Sequence, residues 1–154
     1  MAKQQQLELI MQGPNAWNTW RQQNPGEELG LHETDLSNSN LSGANLSRVN
    51  LSGTVMNGAN LRKADLSWSN LIGVDLRKAD VSETNLTGAD LSGAEATEAQ
   101  FTRANFTNAV MIDTNFVGAD LTGAYLKEAN LRGAIISQTQ LDRARTPEEL
   151  PPPK

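Results

Sequence analysis

The chain has 154 residues, 38% of them hydrophobic, no cysteine and a formal net charge of −5. That size suits one domain, and the missing thiols exclude a disulfide framework and cysteine chemistry. No apolar run reaches the ~18 residues of a membrane span, and Met1–Gln12 lacks the apolar core of a signal peptide, so a soluble cytoplasmic protein is expected.

Residues 1–33 read as a helical cap and lead-in. Leu7, Ile10 and Met11 stand at i, i+3, i+4 spacing and make one apolar stripe. Gly13-Pro14 breaks that segment and starts a second, on which Trp17 and Trp20 share a face; Asn24-Pro25-Gly26 ends it. Two short helices whose Trp and aliphatic side chains plug the start of the following structure are expected, with a partner-binding helix as the other reading.

From residue 34 to 145 the chain repeats a five-residue word, roughly Ala-Asn-Leu-Ser-Gly. Its large apolar residue, the centre, falls every fifth position from Leu36 to Leu141, making 22 pentads, 14 of them centred on Leu. The place two before the centre is Ala in 13 of the 22, and the place just before it is Asn or Asp in 15. A five-residue stripe spirals around a helix of 3.6 residues per turn and changes face in a flat strand of period two. Both conflicts vanish if the chain turns a corner once per word. The centre and the residue two before it then point inward from a very short strand. Gly at the last place of the word (Gly43, Gly53, Gly73, Gly93, Gly133) suits a corner with positive φ. The spacing thus predicts an all-β solenoid.

This word, carried over about 110 of the 154 residues, resembles the pentapeptide-repeat family. The segment Ala16-Trp17-Asn18-Thr19-Trp20-Arg21 is similar to those preceding the repeats in cyanobacterial members. The resemblance implies a right-handed quadrilateral β-helix with 20 residues per coil, hence about five to six coils. At the ~4.8 Å strand spacing the rod is about 25 Å long.

With 20 residues per coil, outward residues 20 apart stack. Lys63, Glu83 and Arg103 are expected to form a column of alternating charge, and Arg48 to sit under Trp68 in a cation–π contact, unless Trp68 serves a partner instead. Ala96 is the smallest centre, and Phe116, one coil on, is expected to fill the space it leaves. Outward places turn apolar later in the chain, at Val110, Ile112, Val117, Tyr125 and Ile135. Four of them (Val110, Ile112, Val117, Ile135) share two adjoining sides, with Ile72 two coils earlier on one of these. Such grouping reads either as a contact surface or as strand propensity alone. Residues 146–154 leave the register: Thr146-Pro147-Glu148-Glu149 reads as a short helical cap, followed by Pro151-Pro152-Pro153.

Chemistry is sparse. His32 is the only imidazole, so no catalytic triad or His/Cys metal site assembles, and no cofactor is expected. Asp75 and Glu95 stack one coil apart, but Arg77 and Lys78 stand ready to neutralise them. Columns such as Ser47, Ser67, Thr87, Thr107 line up hydroxyls without a flat array. The expected function is a non-enzymatic protein-interaction scaffold, with Trp68, Ile72, Val110, Ile112, Val117, Tyr125 and Ile135 as its surface. A protein partner or a homodimer is expected, with no direct nucleic-acid or membrane binding. The alternative follows from the family resemblance: some members imitate duplex DNA and inhibit gyrase. A DNA mimic of 25 Å needs about 15 uncompensated negative charges. Residues 34–145 hold 12 acidic and 10 basic residues.

Overall fold

The computed structural model describes residues 3–145. Helix α1 (Lys3–Met11) and helix α2 (Pro14–Gln23) open the chain, and helix α3 (Gln138–Arg143) lies near its other end. Everything between is a parallel ladder in which residue i bridges residue i+20, from Gly30↔Asn50 to Asn115↔Ile135. Four pentads therefore make one coil, and each side sends two rows of side chains inward, the centres and the residues two before them. Leu36, Leu46, Leu66 and Leu86 have 0% exposure, as do Phe101, Phe106 and Phe116.

The very short strands expected for each word reduce to less than that. Each pentad contributes one bridging residue followed by a two-residue turn, and no longer strand occurs among the described residues. The cause lies at the last place of the word, which adopts left-handed φ throughout the tract. Gly43 has φ 71° and Gly88 67°, but Lys63 (59°), Trp68 (58°) and Lys78 (59°) follow the same path. Each such residue ends the extended segment, so the chain bends before a second bridge can form.

Asn and Asp before the centre make the bend. In Asn105, Oδ1 accepts the Thr107 N–H at 3.0 Å and its hydroxyl at 2.6 Å. Asp65 receives Ser67 in the same way, at 3.0 and 2.6 Å. The side chain thus satisfies a backbone donor that the corner would orphan. Inside, Ala packs two before the centre, and where Thr replaces it the buried hydroxyl finds a carbonyl: Thr84 Oγ1 donates to Leu61 O at 2.8 Å and Thr114 Oγ1 to Leu91 O at 2.7 Å.

Phe116 is fully buried, as is Ala96 one coil before it. Its ring lies edge-on to Phe101 at 5.7 Å and to Phe106 at 6.3 Å, the latter two being centres of that coil.

The ladder starts one pentad earlier than the word suggested: Leu31 is fully buried and its N–H donates to Asn50 O at 2.8 Å. It also breaks before Leu141. After Ile136 the chain rises into α3, so no bridge joins Asp120 to Gln140, while Tyr125↔Arg145 resumes the register. Ser137 caps α3 and forms a capping box with Gln140. This local signal outcompetes the repeat, since Gln140 occupies a place held elsewhere mostly by Asn or Asp. The helical turn read from Thr146–Glu149 lies outside the described residues.

Candidate interaction face

Outward positions of stacked pentads form columns, and α3 opens a hollow beside two of them. By displacing one side of the coil, it leaves a cleft of about 390 Å³ lined by Val117, Gly118, Ala119, Ile135, Ile136, Ser137, Gln140 and Arg143. Val117 is 51% exposed and Ile135 56%. Both stand on the same side of the solenoid, Ile135 bridging Asn115 and the Val117 N–H resting on Asn115 Oδ1 at 3.0 Å. Gln140 supports the wall: its Nε2 donates to Phe116 O at 2.6 Å and Ala119 O at 2.9 Å. Arg143 adds a cation that makes no ion pair among the described residues and lowers the pKa of Asp120 as one of several causes, the largest being the hydrogen bond from Thr122.

The seven residues singled out by sequence do not form one patch. Val117 and Ile135 meet in the cleft. Val110 and Ile112 lie half-buried on the adjoining side. Ile72 is 44% exposed but stands two coils away. Trp68 is 54% exposed on another side. Its indole lies against Gly88, the next residue of its column. The expected Arg48 contact is not formed, because the missing Cβ at Gly88 offers the ring a closer-fitting seat. Tyr125 is engaged within the chain: Arg145 Nη1 donates to its hydroxyl, with the guanidinium carbon 4.7 Å from the ring centroid. Ile136 and Arg143 escaped the sequence reading, Ile136 as a nominal centre and Arg143 as a nominal corner. The signal available was the Ser-x-x-Gln capping pattern at Ser137–Gln140, which lifts Arg143 out of register and leaves Ile136 beside the hollow.

Elsewhere the surface charge pairs off locally. Arg62 Nη2 and Arg103 Nη2 reach Glu83 Oε1 at 3.0 and 3.3 Å, so Arg62 takes the place expected of Lys63. Arg62 also approaches Asp80 of the next coil at 3.7 Å. Arg77 binds Asp75 through Nε and Nη2 at 2.9 and 2.8 Å. The hydrogen bond from Arg77 holds the Asp75 carboxyl below its ordinary pKa, while Lys78 takes no part in that pair. Ser47, Ser67 and Thr107 spend their hydroxyls on the preceding Asn or Asp. Among the described residues no group of three or more His, Cys, Asp or Glu is placed to hold a metal ion, and no helix is long and apolar enough to cross a membrane.

The pentapeptide repeats family matches residues 31–67, 69–108 and 109–145, with 8 copies. The chain belongs to the pentapeptide-repeat family, and its solenoid is the β-helix of that family. Among solved structures it is similar to AT2G44920, a pentapeptide repeat protein from the Arabidopsis thaliana thylakoid lumen. Identity is 33%, covering 71% of this chain and 72% of that one, with a TM-score of 0.59. It is also similar to the pentapeptide repeat protein Rfr23 from the cyanobacterium Cyanothece 51142, at 26% identity over 79% of this chain and 94% of that one, TM-score 0.66. No curated protein matches the sequence.

Proposed function

We propose that this chain is a non-enzymatic scaffold that binds another protein through the cleft between Val117, Ile135 and α3. The observation that carries this reading is the pairing of two aliphatic side chains, each more than half exposed, in one hollow beside Arg143. Grouped exposed apolar area is costly to leave in water, and it is the common mark of a contact surface. Ligand-sized hollows built on a rigid frame are also poor sites for chemistry when no titratable pair faces them. The charge pairs Arg77–Asp75 and Arg62–Glu83 support this reading over a DNA mimic, whose carboxylates would need to stand free.

The test is affinity capture of cross-linked partners with the wild-type chain, with Val117→Lys/Ile135→Asp, and with Arg48→Glu as a surface control on another side. Partners held by the wild type and the control but lost by the double variant are expected. Retention of every partner by the double variant removes this face. In parallel, gyrase supercoiling with the protein in excess is expected to run undiminished, and inhibition would favour the DNA-mimic reading.

A further inference from the structure

The two ends of the solenoid are complementary halves of one ladder, and among the described residues helices cover two sides of the first and one side of the last. Inside the ladder every coil presents three kinds of backbone group to the coil before it. Residues 50–52 show them all: the Asn50 carbonyl accepts the Leu31 N–H at 2.8 Å, the Ser52 carbonyl accepts the Glu33 N–H at 2.9 Å, and the Asn50 N–H donates to Leu29 O at 3.1 Å. The first coil has no coil before it, so the same groups should stand open at Gly30–His32 and Asn45–Ser47.

They do not. Arg21 Nη1 donates to Asn45 O at 2.9 Å and to Ser47 O at 3.0 Å. Asn18 Oδ1 accepts the Asn45 N–H at 2.7 Å while its Nδ2 donates to Gly43 O at 3.0 Å. On the side centred on Leu31, Gln6 Oε1 accepts the Gly30 N–H at 2.9 Å and Lys3 Nζ donates to His32 O at 2.9 Å. Side chains of α1 and α2 thus supply, on two of the four sides, the donors and acceptors of an absent coil. Ile10 and Trp17, at 1% and 0% exposure, lie over a core in which Leu31, Leu36, Leu41 and Leu46 are all at 0%.

At the opposite end α3 and the residues after it cover the Leu121 side, where Gln140 Nε2 donates to Ala119 O at 2.9 Å and the Gly123 N–H to Arg143 O at 2.9 Å. The sides centred on Leu131 and Ile136 have no such cover among the described residues. Leu126, Leu131 and Ile136 are only partly buried. The N–H groups of Leu131 and Ile136 and the Ala129 carbonyl meet no partner there. These are the groups that Leu31 and Leu29 use inside the ladder, so the sides of this edge centred on Leu131 and Ile136 have the polarity to receive a first coil.

We propose that the C-terminal edge is a docking surface for the first coil of a second copy of this chain, and that α1–α2 is the plug that withholds that coil. Parallel polarity makes the contact head-to-tail. It is heterologous and does not close on itself, so unplugged chains add indefinitely, whereas an isologous contact would stop at a dimer.

The test uses the full-length chain carrying Ile10→Asp/Trp17→Asp, since a carboxylate is strongly disfavoured in an apolar core and should expel both helices. Wild-type mass by sedimentation is expected to stay constant with concentration. The variant's should climb past about three times that value, as a non-closing contact requires. Hydrogen exchange is expected to show α1–α2 amides released and amides of residues 50–110 still protected. Adding Leu131→Lys/Ile136→Lys to the same chain should restore the wild-type mass. A variant with released helices and constant mass overturns the proposal. So does a mass that stops at twice the wild type, or assembly that survives the two lysines. Should residues 50–110 also lose protection, Asn18→Ala/Arg21→Ala opens the edge without charging the core. It is expected to associate more weakly with the same lysine sensitivity, and constant mass in that variant likewise overturns the proposal.

Discussion

Gly43 and Gly88 hold the same place in the word and nearly the same φ, 71° and 67°. A methyl group added at Gly43 would meet nothing within 4 Å, but at Gly88 it would strike the Trp68 indole. Gly43→Ala therefore isolates the backbone term, and a loss of about 1–2 kcal/mol is expected from left-handed strain alone. Gly88→Ala should lose a similar amount and also turn the exposed indole out. Denaturant midpoints measure the first effect and a shift in tryptophan emission the second. Unshifted emission in Gly88→Ala would mean the ring does not rest there. Asp120 offers a pH test. Hydrogen bonds from Thr122 lower its pKa in the folded chain, so it adds stability above the ordinary carboxylate pKa of ~3.9 and loses it as pH falls through the depressed value. Asn fills the same place at Asn105, with the same bonds. Asp120→Asn is expected to keep stability near neutral pH and to flatten its decline below about pH 4, where protonation no longer breaks the turn. An unchanged acid slope would place the sensitivity elsewhere.

At the scale of an element, α3 is held by one side chain. Gln140 accepts the Ser137 N–H at 2.8 Å and completes the capping box, while its Nε2 binds Phe116 O and Ala119 O. Within the ladder, an Ala119-type carbonyl receives the backbone N–H of the next coil, as Ala104 O receives Tyr125 N at 2.9 Å. The Gln140 amide stands in for that donor where the chain has left register. Gln140→Glu keeps an acceptor for the capping box but cannot donate. It is expected to cost about 1–3 kcal/mol, the range for leaving a buried polar group unpaired, read as a lower denaturation midpoint. A gain in stability would show that the cap, rather than the carbonyl contacts, fixes the helix.

On the scale of the whole molecule, charge and apolar surface are distributed in different ways. Over residues 34–145 the 12 acidic and 10 basic residues nearly balance, and Asp75, Asp80 and Glu83 pair with arginines, which leaves little long-range field. The two most exposed aliphatic side chains of the solenoid, Val117 and Ile135, instead meet where the repeat fails, beside α3. A rigid solenoid gives each outward residue a fixed address, so two residues 18 apart such as Val117 and Ile135 become one surface. The same regularity makes the ends hazardous, since every coil can seat another.

The sequence by itself determined the ladder: a word of five with one large centre, an Asn or Asp before it and a left-handed corner after it admits only a chain that turns at every repeat. Those rules act within a few residues of chain, so they are legible without coordinates. The cleft, the seat of Trp68 and the plugging of the first coil were decided by tertiary structure. Each depends on what lies 20 or more residues away: Gly88 beyond Trp68, Gln140 against Phe116, Arg21 against Ser47. No local pattern states which of several outward neighbours a side chain will choose, because that choice rests on the space left by the others.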